Sequence, residues 1–296
     1  MMIKRHLLAA PVAVVALLAA STVAAKNWDD WSASADIESL AGSSTDLNTE
    51  SLDGCASVSP DGLTLAFNSF RTGNQQIYLA TRSSRSEGFG EPVMLPATIN
   101  TSGIESCPTI TQGKRLYFTR RLGDPGDLFV SRLGPNGWGE AERLGPAVND
   151  PAVVEEAASF YEDDEGRVVM VFSRRPAGPL IGPGAKIYQS IAGAPATLVA
   201  GGPHSNSSDA RPSVSHDGKA IFWDSLRTGS LGVTDIWYAT RSNTSEAWGQ
   251  AIQLSHLSSA VADIRPFVSW RGDMLIIGTA GDTYFATRDK VTGGGQ

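Results

Sequence analysis

Residues 209–241 read DARPSVSHDGKAIFWDSLRTGSLGVTDIWYATR. Three short apolar runs lie in this stretch, ending at Val214, Trp223 and Tyr238, and none keeps the 3.6-residue period of a helix. Ser215-His216-Asp217-Gly218 separates the first two, and Arg227-Thr228-Gly229 opens the loop before the third. Asp-Gly between β-prone runs is a hairpin signal, because both residues accept the turn conformations that other side chains resist. The stretch therefore predicts three consecutive antiparallel strands, and Trp248-Gly249 begins a fourth. One such sheet cannot bury both of its faces, so its stability must come from copies of itself.

Copies occur along the whole chain. An acid standing two residues before a Cys, Ala or Arg recurs in Asp53-Gly54-Cys55, Glu105-Ser106-Cys107, Glu155-Glu156-Ala157, Asp209-Ala210-Arg211 and Asp263-Ile264-Arg265, at spacings of 52, 50, 54 and 54 residues. Second strands are predicted at 65–67, 116–118, 168–172, 220–223 and 274–277. Third strands carry an aromatic mark at Tyr78, Phe129, Tyr188, Trp237 and Tyr284, with Ala-Thr-Arg repeated at 80–82, 239–241 and 286–288. Fourth strands start near Phe89-Gly90, Trp138-Gly139 and Trp248-Gly249. Four short strands per unit of about 50 residues define a propeller blade. The fifth unit stops after its third strand, while residues 31–40 repeat the Trp-then-apolar signature of a fourth. The fold expected is all-β: five four-stranded blades begin near 53, 105, 155, 209 and 263, and the N-terminal segment pairs onto the last blade to close the ring, protecting edges that an open array would expose.

The Ser-Pro-Asp-Gly at 59–62, Arg-Thr-Gly at 71–73 and 227–229, and Asp235-Ile236-Trp237 resemble the repeat of the TolB-type, WD-repeat-like β-propellers of exported bacterial proteins. The resemblance covers residues 53–288 and departs in the fifth unit, where Gly278-Thr279-Ala280-Gly281 replaces the arginine loop. It implies the fold, and among functions it implies docking, ligand binding and catalysis alike.

Composition narrows the classes. The 296 residues carry 24 Lys+Arg against 31 Asp+Glu, with seven Trp and ten Phe. An acidic chain without a basic run is no nucleic-acid binder, since that affinity rests on Lys and Arg neutralising phosphates. At the N-terminus, Lys4 and Arg5 precede an apolar run from 7 to 20 and small residues at 23–25, which reads as a Sec-type signal peptide over 1–25. A periplasmic or secreted protein, not membrane-embedded after cleavage, is expected.

Blade wiring places the loops before the first strands and those between second and third strands on one face. That face should gather Asp53, Glu105, Glu155, Asp209 and Asp263, the loop residues Arg71, Arg121, Arg175 and Arg227, and Arg211 and Arg265 two residues beyond their acids. Two readings of the acids stand side by side. As ligands, they form a carboxylate ring around the channel for a sugar, a peptide, or Ca²⁺ or another divalent metal. As structure, each bonds a neighbouring amide or arginine and locks adjacent blades. His204 and His256 break the repeat on the same face and, with Asp209 and Asp263, are candidates for metal binding or acid-base chemistry. Cys55 and Cys107 share one position in successive blades, where they either bridge or fill space as small apolar residues. Arg271-Gly272-Asp273 and the acidic run 162–166 fall at hairpin turns and carry no chemistry.

The expected function is an exported binding propeller holding a peptide, a glycan or an envelope protein on the acid-bearing face. The alternative is a hydrolase or lyase acting on a carbohydrate or similar polar molecule, with or without a metal. The long loop 175–186 bears on the choice, because an enzyme would fold it over the channel as a pocket wall.

Overall fold

The computed structural model describes residues 28–123, 125–178 and 182–291; the expected leader, 1–25, lies outside them. Five antiparallel sheets form a ring. Their inner strands are Asp53–Val58, Ile104–Ile110, Val154–Glu162, Asp209–Val214 and Asp263–Val268. Second strands follow at Thr64–Ser69, Arg115–Arg121, Val168–Arg175, Ala220–Ser225 and Met274–Thr279, and third strands at Gln76–Thr81, Asp127–Gly134, Lys186–Ile191, Asp235–Thr240 and Asp282–Thr287. The outer strands are two-residue pairings, Val93–Met94, Glu142–Arg143, Thr197–Leu198 and Ile252–Gln253. In blade 2 the short strand Gly137–Trp138 also pairs with the third strand.

The ring closes through the N-terminal segment, where Ala35 and Asp36 pair with Phe285 and Tyr284. Only these two of residues 31–40 are strand. Asp36 accepts the Glu38 N–H at 2.8 Å and caps a 3₁₀ turn, Ile37–Ser39, which ends the pairing. Trp31 is buried against Phe222, and Arg288 stacks over both Trp28 and Trp31. The closing segment is thus held by packing as much as by its two-residue ladder.

Small residues populate the inner strands because five of them converge on one axis. Asp-Gly-Cys-Ala-Ser-Val in blade 1 is buried throughout. Pro108, Pro212 and Pro266 fit there because an inner strand is an edge strand, with one side free of ladder bonds. The larger apolar residues of the second and third strands pack between sheets, forming five clusters, such as Ile77, Leu95, Ile99, Leu116 and Phe118 between blades 1 and 2. Burial of these side chains is the main driving force, and each blade supplies half of two clusters.

The repeated Ala-Thr-Arg has a mechanical role. Arg82, Arg241 and Arg288 each donate Nε–H to the carbonyl of a hairpin glycine, Gly62, Gly218 and Gly272, at 2.7–2.8 Å. Arg82 and Arg241 also lie over Phe89 and Trp248, the aromatic residues four positions ahead of their outer strands, which begin later than the aromatic signature suggested. These residues therefore fasten turn, strand and sheet together on the face opposite the acids.

Candidate functional site: the central channel

The five acids are built into the blades. Their backbone N–H groups each donate to a carbonyl of the preceding blade, just before its third strand: Asp53 to Gly281, Glu105 to Gln75, Glu155 to Gly126, Asp209 to Ala185 and Asp263 to Thr234, at 2.7–3.0 Å. The set runs round the ring and includes the junction between blades 5 and 1. Their side chains are buried and cap the loops that lead into them. Asp53, Glu105, Asp209 and Asp263 accept both the backbone N–H and the hydroxyl of the residue four positions earlier, Thr49, Thr101, Ser205 and Ser259. Glu155 accepts the Asp150 N–H instead.

Four of the acids also hold an arginine, but not always the one that spacing pointed to. In blades 1 and 4 the partners are Arg71, 2.9 Å from Asp53, and Arg227, 2.7 Å from Asp209. In blades 2 and 3 they are Arg120 on Glu105 and Arg174 on Glu155, both at 3.0 Å, rather than Arg121 and Arg175. Glu105 lies directly across the ladder from Arg120 and Glu155 from Arg174, whereas Asp53 and Asp209 face Ser69 and Ser225. The longer acid meets an arginine opposite itself; the shorter one is reached by an arginine two residues farther on, whose Nε–H donates to the intervening serine. Because side chains alternate across a strand, Arg121 and Arg175 point away from these acids. Blade 5 has no arginine here, and Asp263 accepts the Thr279 hydroxyl at 2.6 Å.

Each guanidinium is further fixed on the aromatic residues of its own blade: Arg71 over Tyr78, Arg120 over Phe129, Arg174 over Tyr188 and Arg227 over Trp223, 4.7–5.1 Å from the ring centres. Asp53, Glu105, Asp209 and Asp263 thus have both carboxylate oxygens occupied within the blades. Burial pushes the Glu155 carboxyl up to about 7, against the opposing pull of the Asp150 amide and Arg174, and its Oε2 has no hydrogen-bond partner among the described residues. Among the described residues no group of three or more His, Cys, Asp or Glu is placed to hold a metal ion.

The channel is lined instead by the residues two beyond the acids. Cys55, Cys107, Ala157, Arg211 and Arg265 all adopt left-handed backbone conformations, with φ between 47° and 58°. Each sits in a β-bulge, where the inner-strand register shifts between Gly54 and Ser57, Ser106 and Thr109, Glu156 and Ser159, Ala210 and Ser213, and Ile264 and Phe267. A bulge of this kind re-aims a side chain, here toward the axis, and a non-glycine residue in that conformation costs on the order of 1 kcal/mol or more. All five line one axial cavity of about 20 Å³.

Two different chemistries occupy this ring. Cys55 and Cys107 form a disulfide, Cα to Cα 4.8 Å, joining the inner strands of blades 1 and 2. On the other side, Arg211 grips Asp224 with Nε and Nη2 and reaches Glu156 with Nη1 at 3.3 Å; Arg175 pairs with the other Glu156 oxygen at 3.3 Å. Asp224 also accepts the Arg265 backbone N–H at 3.0 Å. Arg175 therefore belongs to the channel cluster and not to the ring of acids. Glu156 and Asp224, which the repeat analysis did not single out, break the pattern at their positions: the other blades have Gly54, Ser106, Ala210 and Ile264 in place of the first, and Asn68, Thr119, Ser173 and Gly278 in place of the second.

His204, on a loop, and His256, in the 3₁₀ turn Ser255–Leu257, are exposed on the acid-bearing face. Asn48 and Asn100, near the equivalent place in other blades, clamp the third-strand backbone at Thr283 and Ile77 with both side-chain atoms. Among the described residues neither histidine has a side-chain hydrogen bond. Residues 179–181 of the loop 175–186 lie outside the described residues; on its flanks Arg175 donates to the carbonyls of Pro176 and Gly178, and Gly182 stands beside Arg211 and Asp224. On the opposite face, a cleft of about 650 Å³ between blades 1 and 2 is walled by Leu79, Ile110, Leu133 and Trp138, with Lys114 and Asp61 also lining it.

No family model and no curated protein matches the chain. Solved structures do. TolB from Acinetobacter baumannii aligns at 18% identity with a TM-score of 0.52, over 88% of this chain and 63% of that one, so the chain spans less than two thirds of its length. An α-L-arabinofuranosidase from Lactobacillus brevis aligns at 10% identity and TM-score 0.55, over 81% of this chain and 90% of that one. The catalytic domain of a GH62 α-L-arabinofuranosidase from Coprinopsis cinerea gives the same two values, over 89% and 98%. At such identities the likeness is one of architecture, and in fold the chain is a TolB-like β-propeller of five blades.

Proposed function

We propose that the chain is an exported binding propeller that holds a peptide, a glycan or an envelope protein on the face where the acid-bearing loops converge. The size of the axial cavity carries this reading. Small-molecule sites occupy about 300–1,000 Å³, whereas the five bulge residues leave about 20 Å³ at the axis. A channel plugged at this level offers a surface on the acid-bearing face, and the cleft of about 650 Å³ lies on the opposite one. The carboxylates near the channel support the same view. Glycoside hydrolysis uses two carboxyl groups free to reach either side of the scissile bond, and here Glu156 and Asp224 are both tied to Arg211.

The second reading, an enzyme acting on a carbohydrate, draws on the arabinofuranosidases among the fold neighbours and on Glu155, whose carboxyl at about 7 lies in the range of a general acid. One experiment separates them. The protein comprising residues 26–296 is titrated with envelope-derived peptides and with arabino- and other oligosaccharides while the products are followed by chromatography. Binding of one class with no cleaved product is expected; cleavage abolished by Glu155→Gln would establish the enzyme.

A further inference from the structure

Among the described residues the charges around the axis do not balance. Arg175, Arg211 and Arg265 face two carboxylates, Glu156 and Asp224, and all five side chains are buried. Both carboxylates are engaged by Arg211, and Glu156 by Arg175 as well. Among the described residues Arg265 has neither a side-chain hydrogen bond nor an ion pair, and its Nε is buried without a partner. The residue is only 8% exposed. Its Nη1 stands 3.9 Å from where a Cβ at Gly54 would be, so the guanidinium spans the junction of blades 5 and 1 at the wall of the axial cavity.

An isolated buried cation is expensive, and most groups escape the cost by losing their charge. Arginine cannot take that route. Burial and the neighbouring Arg211 lower the Arg265 guanidinium to about 10, against the opposing attraction of Glu156 and Asp224, which still leaves it charged at neutral pH. A water molecule would satisfy the Nε–H but not the charge. What remains is a counter-ion, and the cavity sets its size: about 20 Å³, against the roughly 10–15 Å³ that a single water requires.

We propose that the axial cavity is a binding site for one compact monovalent anion of the halide class, held by the Arg265 guanidinium with Arg211 beside it. The site would tie blade 5 to blade 1 across the ring's closing junction, as the disulfide ties blade 1 to blade 2. It is independent of what the outer face binds.

The test uses the protein without its leader, residues 26–296. Crystals grown with sodium bromide should show an anomalous peak in the axial cavity within hydrogen-bond distance of Arg265. In solution, exchanging gluconate for chloride at constant ionic strength should raise the wild-type melting temperature by about 2–4 °C and leave Arg265→Gln unmoved. Formate giving the same Arg265-dependent shift would extend the site to a carboxylate, and so to the carboxylate tip of a bound ligand; no shift with formate would confine it to halides. Absence of bromide from the cavity overturns the proposal, and so does a chloride shift that Arg265→Gln retains. Should that variant fail to fold, the bromide experiment decides alone.

Discussion

Blades 1 and 2 place Cys55 and Cys107 at the bulge position and join them covalently, whereas blades 4 and 5 place Arg211 and Arg265 at the same position, where Asp224 takes the Arg211 guanidinium and the Arg265 backbone N–H and Glu156 ties Arg211 to blade 3. One backbone device, a left-handed residue in a bulged inner strand, thus presents two unrelated chemistries at the same depth in the channel. The lesson concerns where repeats carry information. The acids recur in every blade because every blade needs them to bond its neighbour. The bulge residues vary because the backbone already holds the ring there, and the side chains are free to differ.

The largest effect should come from the ionic half. Arg211→Met keeps the volume and leaves Glu156 and Asp224 short of their shared cation, so about 3–5 kcal/mol of stability should be lost, measured by urea unfolding. Loss below 1 kcal/mol would mean that the cluster is solvated and the contrast with the covalent half is false.

The covalent half comes next. Closing a loop of 52 residues restricts the unfolded chain, and Cys55→Ala/Cys107→Ala should cost about 2–4 kcal/mol. Reductant should lower the wild-type urea midpoint to a similar extent and leave the variant where it is.

Glu155 sharpens the comparison from the side of the acids. Its folded-state value, about 7, exceeds the ordinary 4.5, so the native state holds this proton more tightly than the unfolded state does. The stability it contributes is complete below pH 4.5 and is lost as pH rises through 7. Glu155→Gln should therefore flatten the decline in unfolding free energy between pH 5 and pH 8, by on the order of 1 kcal/mol. Unchanged slopes would show the carboxyl to be ionised throughout.

The smallest effects belong to His204→Ala and His256→Ala. Both are exposed, and each change should fall within about 0.5 kcal/mol without altering ligand binding in a thermal-shift panel. A lost ligand shift would restore the histidines as site residues.

Much of this architecture is legible in the sequence because a propeller writes its fold as a period. The five Asp/Glu positions, the Asp-Gly hairpins and the Trp31 segment are enough for the blade count and the closure. Cross-strand partners are harder to read. Arg120 and Arg121 differ by one position, and one position in a strand reverses the face; only the register, Glu105 opposite Arg120, decides between them. The bulge is also invisible in the residue pattern, since Cys, Ala and Arg are not residues that advertise a left-handed backbone. A signal for Glu156 and Asp224 was nevertheless present. Each is a carboxylate at an inner or second-strand position where the other blades carry uncharged residues, the same departure that drew notice to the histidines.

The central claim is that the repeated acids lock the blades. Urea unfolding of Asp209→Ala/Asp263→Ala tests it most directly. The double variant loses the loop caps at Ser205 and Ser259 and strands Arg227 and the Trp223 Nε1–H. A fall in stability of at least about 3 kcal/mol is predicted, since each buried partner left unsatisfied costs about 1–3 kcal/mol. An unchanged midpoint, accompanied by the loss of a ligand that the wild type binds, would contradict the account and return the acids to the channel as its binding ring.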